Sequence, residues 1–294
     1  VNRLRTILQY FDFRLRRKLI HSLSMKLAIT ADWLPVYGGA EHVLVEFCSL
    51  WPKAPIYTTV AEHGALGPLD EANINTTPLQ KWYDIIRKHQ LLLPWMPQAM
   101  EGINLDEYDV ILSSSHAVGK GIIPPSYAKH ICYCHTTMRY AWEMEDQYLE
   151  DFRVPRILRS TIKRQLRKLR RWDLTTAKRV DHFIANSTTT QERIKRTYNR
   201  DSTVIHPPVQ DHFFHEPLVP HNERESYFAI GRMVPYKRFD LVIRVANELT
   251  LPLKIAGTGL DFERLSKMAG PTVELLGYVP DEELPKLYAN SKAL

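Results

Sequence analysis

Cysteine is scarce in this chain, with Cys48, Cys132 and Cys134 the only three among 294 residues. An odd, sparse set excludes a disulfide-stapled secreted scaffold and fits a reducing, cytoplasmic compartment. Glycine is also low, at 12 residues. The sequence has neither a Walker phosphate loop nor an intact G-x-G-x-x-G, which argues against a nucleoside triphosphatase and a dinucleotide oxidoreductase. No run approaches the roughly 18 uninterrupted apolar residues that a spanning helix requires. What is present, 44% hydrophobic and 24% charged residues, is the balance of an ordinary globular protein. The length allows two domains or one large one.

The formal charge of +6 is unevenly placed. Residues 1–24 carry six basic side chains against Asp12, and residues 153–179 carry eleven against Asp173, leaving an acidic remainder. Two basic segments on an acidic body predict an anionic partner met at particular faces. In the first segment Leu4, Leu8, Phe11, Leu15 and Leu19 recur at helical spacing, so 1–24 reads as a basic amphipathic stretch suited to anionic lipid. A leader, or a stretch irrelevant to the fold, is the alternative; a secretory signal is disfavoured because no apolar core precedes a small-residue cleavage site. In the second segment Arg153, Arg156, Arg159, Lys163, Arg164, Arg167, Lys168, Arg170 and Arg171 wrap most of a predicted helix. With no nucleic-acid-binding module beside it, this run suits lipid head groups or a lipid-diphosphate better than nucleic acid.

From Met25 onward apolar runs alternate with helical patterns. Strands are predicted at 26–30, 56–60, 109–113, 130–134, 183–186 and 203–206, with a helix from Gly38-Gly39 through Leu50. After a polar stretch at 215–226 the pattern resumes, with strands at 227–231, 253–256 and 273–276 and helices at 240–249, 262–268 and 282–290. Strands separated by helices indicate parallel α/β sheets. The expected organisation is therefore the basic segment 1–24, a Rossmann-like domain 25–214, a linker 215–226 and a partial Rossmann-like domain 227–294. A ligand cleft is expected at the carboxyl ends of the strands.

Two strings suggest phosphate chemistry. In Val36-Tyr37-Gly38-Gly39-Ala40-Glu41, paired glycines at a helix start let backbone N–H groups approach an anion, although such pairs also serve as tight turns. In Gly231-Arg232-Met233-Val234-Pro235-Tyr236-Lys237-Arg238, a strand delivers Arg232 and a proline-stiffened turn returns Lys237. Two fixed cations can hold a diphosphate and stabilise the charge that develops as it leaves. Arg238 can equally be a solvated charge at a helix start.

These strings, taken with Ser113-Ser114-Ser115-His116-Ala117, Cys134-His135-Thr136-Thr137-Met138-Arg139-Tyr140-Ala141-Trp142, Ala185-Asn186-Ser187, Phe239-Asp240 and Leu276-Gly277-Tyr278 with Glu282, resemble the family 4 retaining glycosyltransferases in order and spacing from about Met25 to Leu294. The resemblance implies the GT-B fold of two Rossmann-like domains, the second incomplete here. It implies transfer of a hexose from a sugar nucleotide to a lipid-linked or polysaccharide acceptor. The His135-to-Trp142 string looks like the mannosyl- or hexosyltransferase branch of bacterial surface-polysaccharide synthesis, so GDP-mannose is the favoured donor and UDP-sugars the alternative. By the same resemblance Arg232 and Lys237 grip the donor diphosphate, Gly38 and Gly39 lie against it, and His135 is the catalytic-site histidine. His116 and Arg139 are further cleft candidates. Retention is implied by front-face attack, in which a donor phosphate oxygen takes the acceptor proton, with no obligatory metal and no other cofactor. The family's paired glutamates would lie beyond Leu294, so residues 1–294 alone are expected to lack transfer activity.

Plainer readings stand beside these. His116 and His135 could be hydrogen-bonded scaffold residues. Cys132-x-Cys134-His135 has metal-like spacing, but no second ligand cluster accompanies it, which favours buried thiols. The glycosylation acceptors at Asn75 and Asn186 are idle in a reducing compartment. The rival to the enzyme is a peripheral membrane-binding protein of GT-B fold, without transfer activity, on the inner face of the cytoplasmic membrane.

Overall fold

The computed structural model describes residues 25–143, 145–151, 154–217 and 219–294; the basic segment 1–24 lies outside the described residues. The chain forms two compact units, the first running to Leu149 and from Val154 to Pro207, the second from Pro208 to Leu294.

The first unit is built on seven parallel strands: β1 (Leu27–Ala31), β2 (Ile56–Thr58), β3 (Ile74–Thr76), β4 (Val110–Ser115), β5 (Lys129–Cys134), β6 (His182–Ala185) and β7 (Ser202–Val204). Their order is β3-β2-β1-β4-β5-β6-β7. Strand order reverses between β1 and β4, the switch point at which ligands bind in open sheets of this kind. Every residue of β1 is buried, as a central parallel strand covered on both faces requires. The helices of this unit are α1 (Gly39–Leu50), α2 (Gln80–Ile86), α3 (Met96–Glu101), α4 (Arg139–Trp142), α5 (Glu145–Asp151), α6 (Arg156–Ala177) and α7 (Thr188–Tyr198).

Most of the predicted elements are present within two residues. The strand expected at 56–60 stops at Thr58, and β3 was not foreseen: it is three half-buried residues at the sheet edge, too short to show a period. The basic run also differs from its expectation. Its helix, α6, buries Leu166, Leu169, Asp173, Thr176 and Ala177, positions that repeat every three to four residues and so form one inward stripe. The cations are thereby confined to the remaining faces. Several are neutralised: Lys163 pairs with Glu145 and Asp146, Arg170 with Glu145, and Arg179 with Glu101.

The second unit has a parallel sheet of order β10-β9-β8, formed by β8 (Tyr227–Ile230), β9 (Leu253–Ala256) and β10 (Val273–Gly277). Helices α8 (Phe239–Glu248) and α9 (Phe262–Met268) pack on it through Phe239, Ile243, Ala246 and Leu265. Helix α10 (Leu284–Ala289) covers Phe228 and Ala256. The residues expected to form a linker group with this unit, where the Arg224 guanidinium donates to the Ser291 carbonyl; Phe213, expected in the first domain, also belongs here and packs into the Phe228 cluster.

Candidate active site

The three central strands β1, β4 and β5 end side by side, with Ala31 opposite Ser114, and Ser114 opposite Tyr133. Strand β4 ends in Ser113-Ser114-Ser115, a poor core sequence unless every hydroxyl is satisfied. Each one is. The Ser113 hydroxyl meets His130 Nε2 at 2.9 Å, Ser114 meets His135 Nε2 at 2.7 Å, and Ser115 donates to Asp32 Oδ1 at 2.9 Å. The serines thus join β4 to a buried histidine, to His135 and to a buried carboxylate.

Asp32 organises the loop that follows β4. Its carboxylate accepts the backbone N–H groups of His116 at 2.6 Å, Ala117 at 3.2 Å and Gly119 at 2.5 Å. Its Oδ2 also lies 2.7 Å from His116 Nδ1. Burial alone would raise the Asp32 pKa, but the charge of His116 and the hydrogen bonds from His116 and Gly119 outweigh it, and the carboxyl is held well below its ordinary range. The loop comes so close that a Cβ on Gly119 would lie 2.9 Å from the Ala31 carbonyl carbon, so only glycine fits there. The next residue, Lys120, is buried and paired with Asp173 of α6. Asp173 also accepts from Trp142 Nε1 at 2.8 Å and from the Tyr198 hydroxyl at 2.9 Å.

His135 follows β5. Its carbonyl accepts from the Thr190 hydroxyl at 3.1 Å, and its ring stands edge-on to Tyr133 with centroids 5.3 Å apart. Burial pushes its pKa down to about 4, with the charge of His116 adding to the effect, so the ring is neutral near pH 7. Arg139 is half-buried at the start of α4, and Thr137 between them is fully buried.

Gly38 and Gly39 open α1 with no side-chain cap from the N-cap position, and the Glu41 carboxylate takes backbone hydrogen bonds from Gly38 and from Glu41 itself. A Cβ on Gly39 would meet nothing within 4 Å. Protein packing therefore does not require glycine there, and the space suits close approach of another group. Glu41, in the first turn, is raised in pKa by burial and lies within the fields of His116 and Asp32.

The first unit therefore gathers the Gly38–Glu41 turn, Asp32, His116 and His135 at its switch point, with Arg139 at the next helix. On the second unit, Arg232 and Lys237 are exposed and have no acidic partner among the described residues. Arg238, by contrast, is bound to Asp240 at 3.0 Å. The turn bearing the two cations is held by Met233 N–H to the Thr258 carbonyl at 2.8 Å and by Asp261 N–H to the Met233 carbonyl at 3.1 Å. Gly257 and Gly259 permit this approach, since a Cβ would lie 2.1 Å from the Gly231 oxygen and 2.2 Å from the Met233 oxygen respectively. Cys132 and Cys134 are both buried, and burial raises both thiols. Among the described residues no group of three or more His, Cys, Asp or Glu side chains is placed to hold a metal ion.

Sequence reasoning missed Asp32, Ser114, Lys120 and Asp173. Asp32 directly follows a buried strand, and its position at a central strand end was the available signal. Lys120 and Asp173 lie 53 residues apart and read as surface charges until the fold brings them together.

A parallel sheet with its polar cluster at the switch point, followed by a second parallel unit, is the architecture of a GT-B glycosyltransferase. The model of Glycosyltransferase Family 4 matches residues 37–213, more than half of the chain, and the chain belongs to that family. A crystal structure of a variant of TarM from S. aureus, in complex with fondaparinux, alpha-GlcNAc-glycerol and UDP, is similar at a TM-score of 0.55 and 13% identity, over 91% of this chain and 80% of that one. Sucrose-phosphate synthase from Thermosynechococcus elongatus is similar at 0.55 and 15% identity, over 90% of this chain and 74% of that one. At such identities the likeness establishes the fold. No curated protein matches the sequence. The chain is thus a glycosyltransferase, and the donor class of its family is a sugar nucleotide. No helix among the described residues is long and apolar enough to cross a membrane.

Proposed function

We propose that the protein is a retaining hexosyltransferase that takes mannose from GDP-mannose, with UDP-sugars as alternative donors, and passes it to a lipid-linked or polysaccharide acceptor at the cytoplasmic face of the membrane. The observation that carries this reading is the strand-end cluster of Asp32, His116 and His135 beside the Gly38–Gly39 helix start. It supplies an anion-binding helix terminus and a neutral imidazole in one place. The mannosyl preference is supported by the His135-to-Trp142 string.

In this reading the backbone N–H groups of Gly38 and Gly39 bind donor phosphate. Arg232 and Lys237, which have no acidic partner among the described residues, neutralise the leaving diphosphate. His135 is the catalytic residue and hydrogen-bonds a sugar or acceptor hydroxyl, while His116 and Arg139 line its surroundings. The acceptor proton goes to a donor phosphate oxygen as the new glycosidic bond forms on the face from which the diphosphate departs. Membrane attachment is supported by α6, whose Arg156, Arg164, Arg167, Lys168 and Arg171 are exposed and unpaired among the described residues. Such cations add about 1 kcal/mol each near an anionic surface.

Transfer of radiolabelled hexose by the full-length protein tests the reading. Arg232→Ala or Lys237→Ala should each cost roughly 2–4 kcal/mol of transition-state stabilisation. His135→Ala should lower turnover more than donor affinity. Near-unchanged turnover in the folded variants would contradict these assignments. Binding to anionic vesicles with no turnover of any sugar nucleotide would favour a membrane-binding protein without transfer activity.

A further inference from the structure

Asp32 is fully buried, and its hydrogen bonds have a pattern. Besides His116 Nδ1, its carboxylate accepts from Ser115 Oγ and from the N–H groups of His116, Ala117 and Gly119. All of these partners lie at the end of β4 or on the turn that leads out of it. Meanwhile Asp32's own carbonyl accepts from Thr59 Oγ1 at 2.6 Å, which ties the residue to the end of β2. Its place in the strand-end row is therefore fixed from both sides.

Two imidazoles stand in that row with unlike partners. His116 has a carboxylate 2.7 Å from Nδ1. His135 has a neutral hydroxyl 2.7 Å from Nε2 and, among the described residues, no carboxylate hydrogen-bonded to it. The charged and titratable groups around His116 include Asp32 just after β1, Glu41 of α1 and His135 just after β5. Trp33 stands edge-on to the His116 ring at 5.0 Å and stacks on His89 at 5.0 Å, so the ring is also oriented on that side.

We propose that Asp32 is the positioning residue of this site: it fixes the His116 ring and decides which of the two histidines carries the proton. His116 is the imidazolium, its charge balanced by Asp32. His135 stays neutral, because desolvation outweighs the pull of the Asp32 charge on it, its ring partner is the neutral Ser114 hydroxyl, and it faces a neighbouring positive ring. Titratable groups in one site whose environments push them apart can take opposite roles. A neutral His135 keeps one ring nitrogen as a hydrogen-bond acceptor for a sugar or acceptor hydroxyl, which an imidazolium lacks. The inference rests on the reading that places His135 at the reaction.

The test follows the ring nitrogens by NMR in full-length protein labelled with 15N-histidine, with resonances assigned through His116→Gln and His135→Gln. In the unaltered protein His116 should hold both ring protons at about pH 7, where an ordinary histidine is largely neutral. His135 should gain its second proton only near pH 4. In Asp32→Asn the His116 ring should lose its proton at least about one pH unit lower. That variant's kcat should fall by about tenfold or more with donor KM nearly unchanged, the pattern of a lost transition-state interaction. A neutral His116 in the unaltered protein at pH 7, or an unchanged His116 titration in Asp32→Asn, overturns the proposal. Should Asp32→Asn not fold, the titration of the unaltered protein decides. The ring measurement needs no substrate, so it judges Asp32 independently of whether the protein turns over a sugar nucleotide.

Discussion

His130 and His135 lie on and just after the same strand, and both are held neutral by burial, each with a pKa pushed down to about 4. For His130 the partners are Ser113 Oγ at 2.9 Å and the Arg179 carbonyl at 3.3 Å, contacts that satisfy a neutral ring. An unfolded histidine takes up its proton near pH 6.5, so between there and about pH 4 the unfolded state binds more protons than the folded one. Stability is therefore full above pH 6.5 and falls as the pH drops toward 4. His130 alone accounts for roughly 3 kcal/mol of that loss, because a tenfold difference in proton affinity between the two states is worth about 1.4 kcal/mol. Asp32, whose folded pKa is depressed, acts at lower pH: its contribution is complete above the ordinary carboxylate pKa and lost as the pH falls below it. Urea titrations at stepped pH check the prediction. Stability that does not change from pH 7 to 4.5 would contradict it, and His130→Gln should flatten the fall.

At the level of elements, α6 has two different faces. Its outer face carries the cations, some solvated and some paired with Glu145 and Asp146, whereas its inner face places Asp173 against Lys120 of the loop after β4, with Trp142 and Tyr198 completing the acceptor's hydrogen bonds. This pairing joins the basic helix to the loop that carries His116. Burial disfavours the Lys120 charge, but Asp173 more than compensates and holds its pKa up. Removing one member of such a pair leaves the other charge buried and typically costs about 3–5 kcal/mol. Lys120→Met should therefore destabilise the first unit by that amount, while Lys120→Met combined with Asp173→Leu should recover part of the loss, because no charge is then stranded. Thermal unfolding of the two variants beside the unaltered protein tests this; a double variant no more stable than the single one would contradict it. The same helix shows where sequence reasoning stops. The sequence showed the cations of α6, but not that Asp173 faces inward, because its partners Lys120, Trp142 and Tyr198 lie elsewhere in the chain. The short edge strand β3 escaped for a different reason: three residues carry too little pattern to stand out.

Over the whole molecule, alternating apolar runs were enough to read two parallel α/β units, since parallel strands covered on both faces appear as short continuous apolar segments. The glycine turn and the Arg232 and Lys237 cations could be singled out from residue type and spacing, and His116 and His135 from the resemblance of the strings that contain them; their proposed roles await the tests above. The carboxylate beside His116 was not, since its meaning depends on β1 and β4 being neighbours across a strand-order reversal. In the proposed reading, the first unit holds an anionic donor at a helix start beside a neutral imidazole. Retaining transfer from a sugar nucleotide is the activity proposed for it. The most direct measurement is proton NMR of the anomeric signal as the full-length protein turns over GDP-mannose, followed from the first product formed. A new glycosidic bond with the anomeric configuration of the donor is the predicted result; a product of inverted configuration would contradict it.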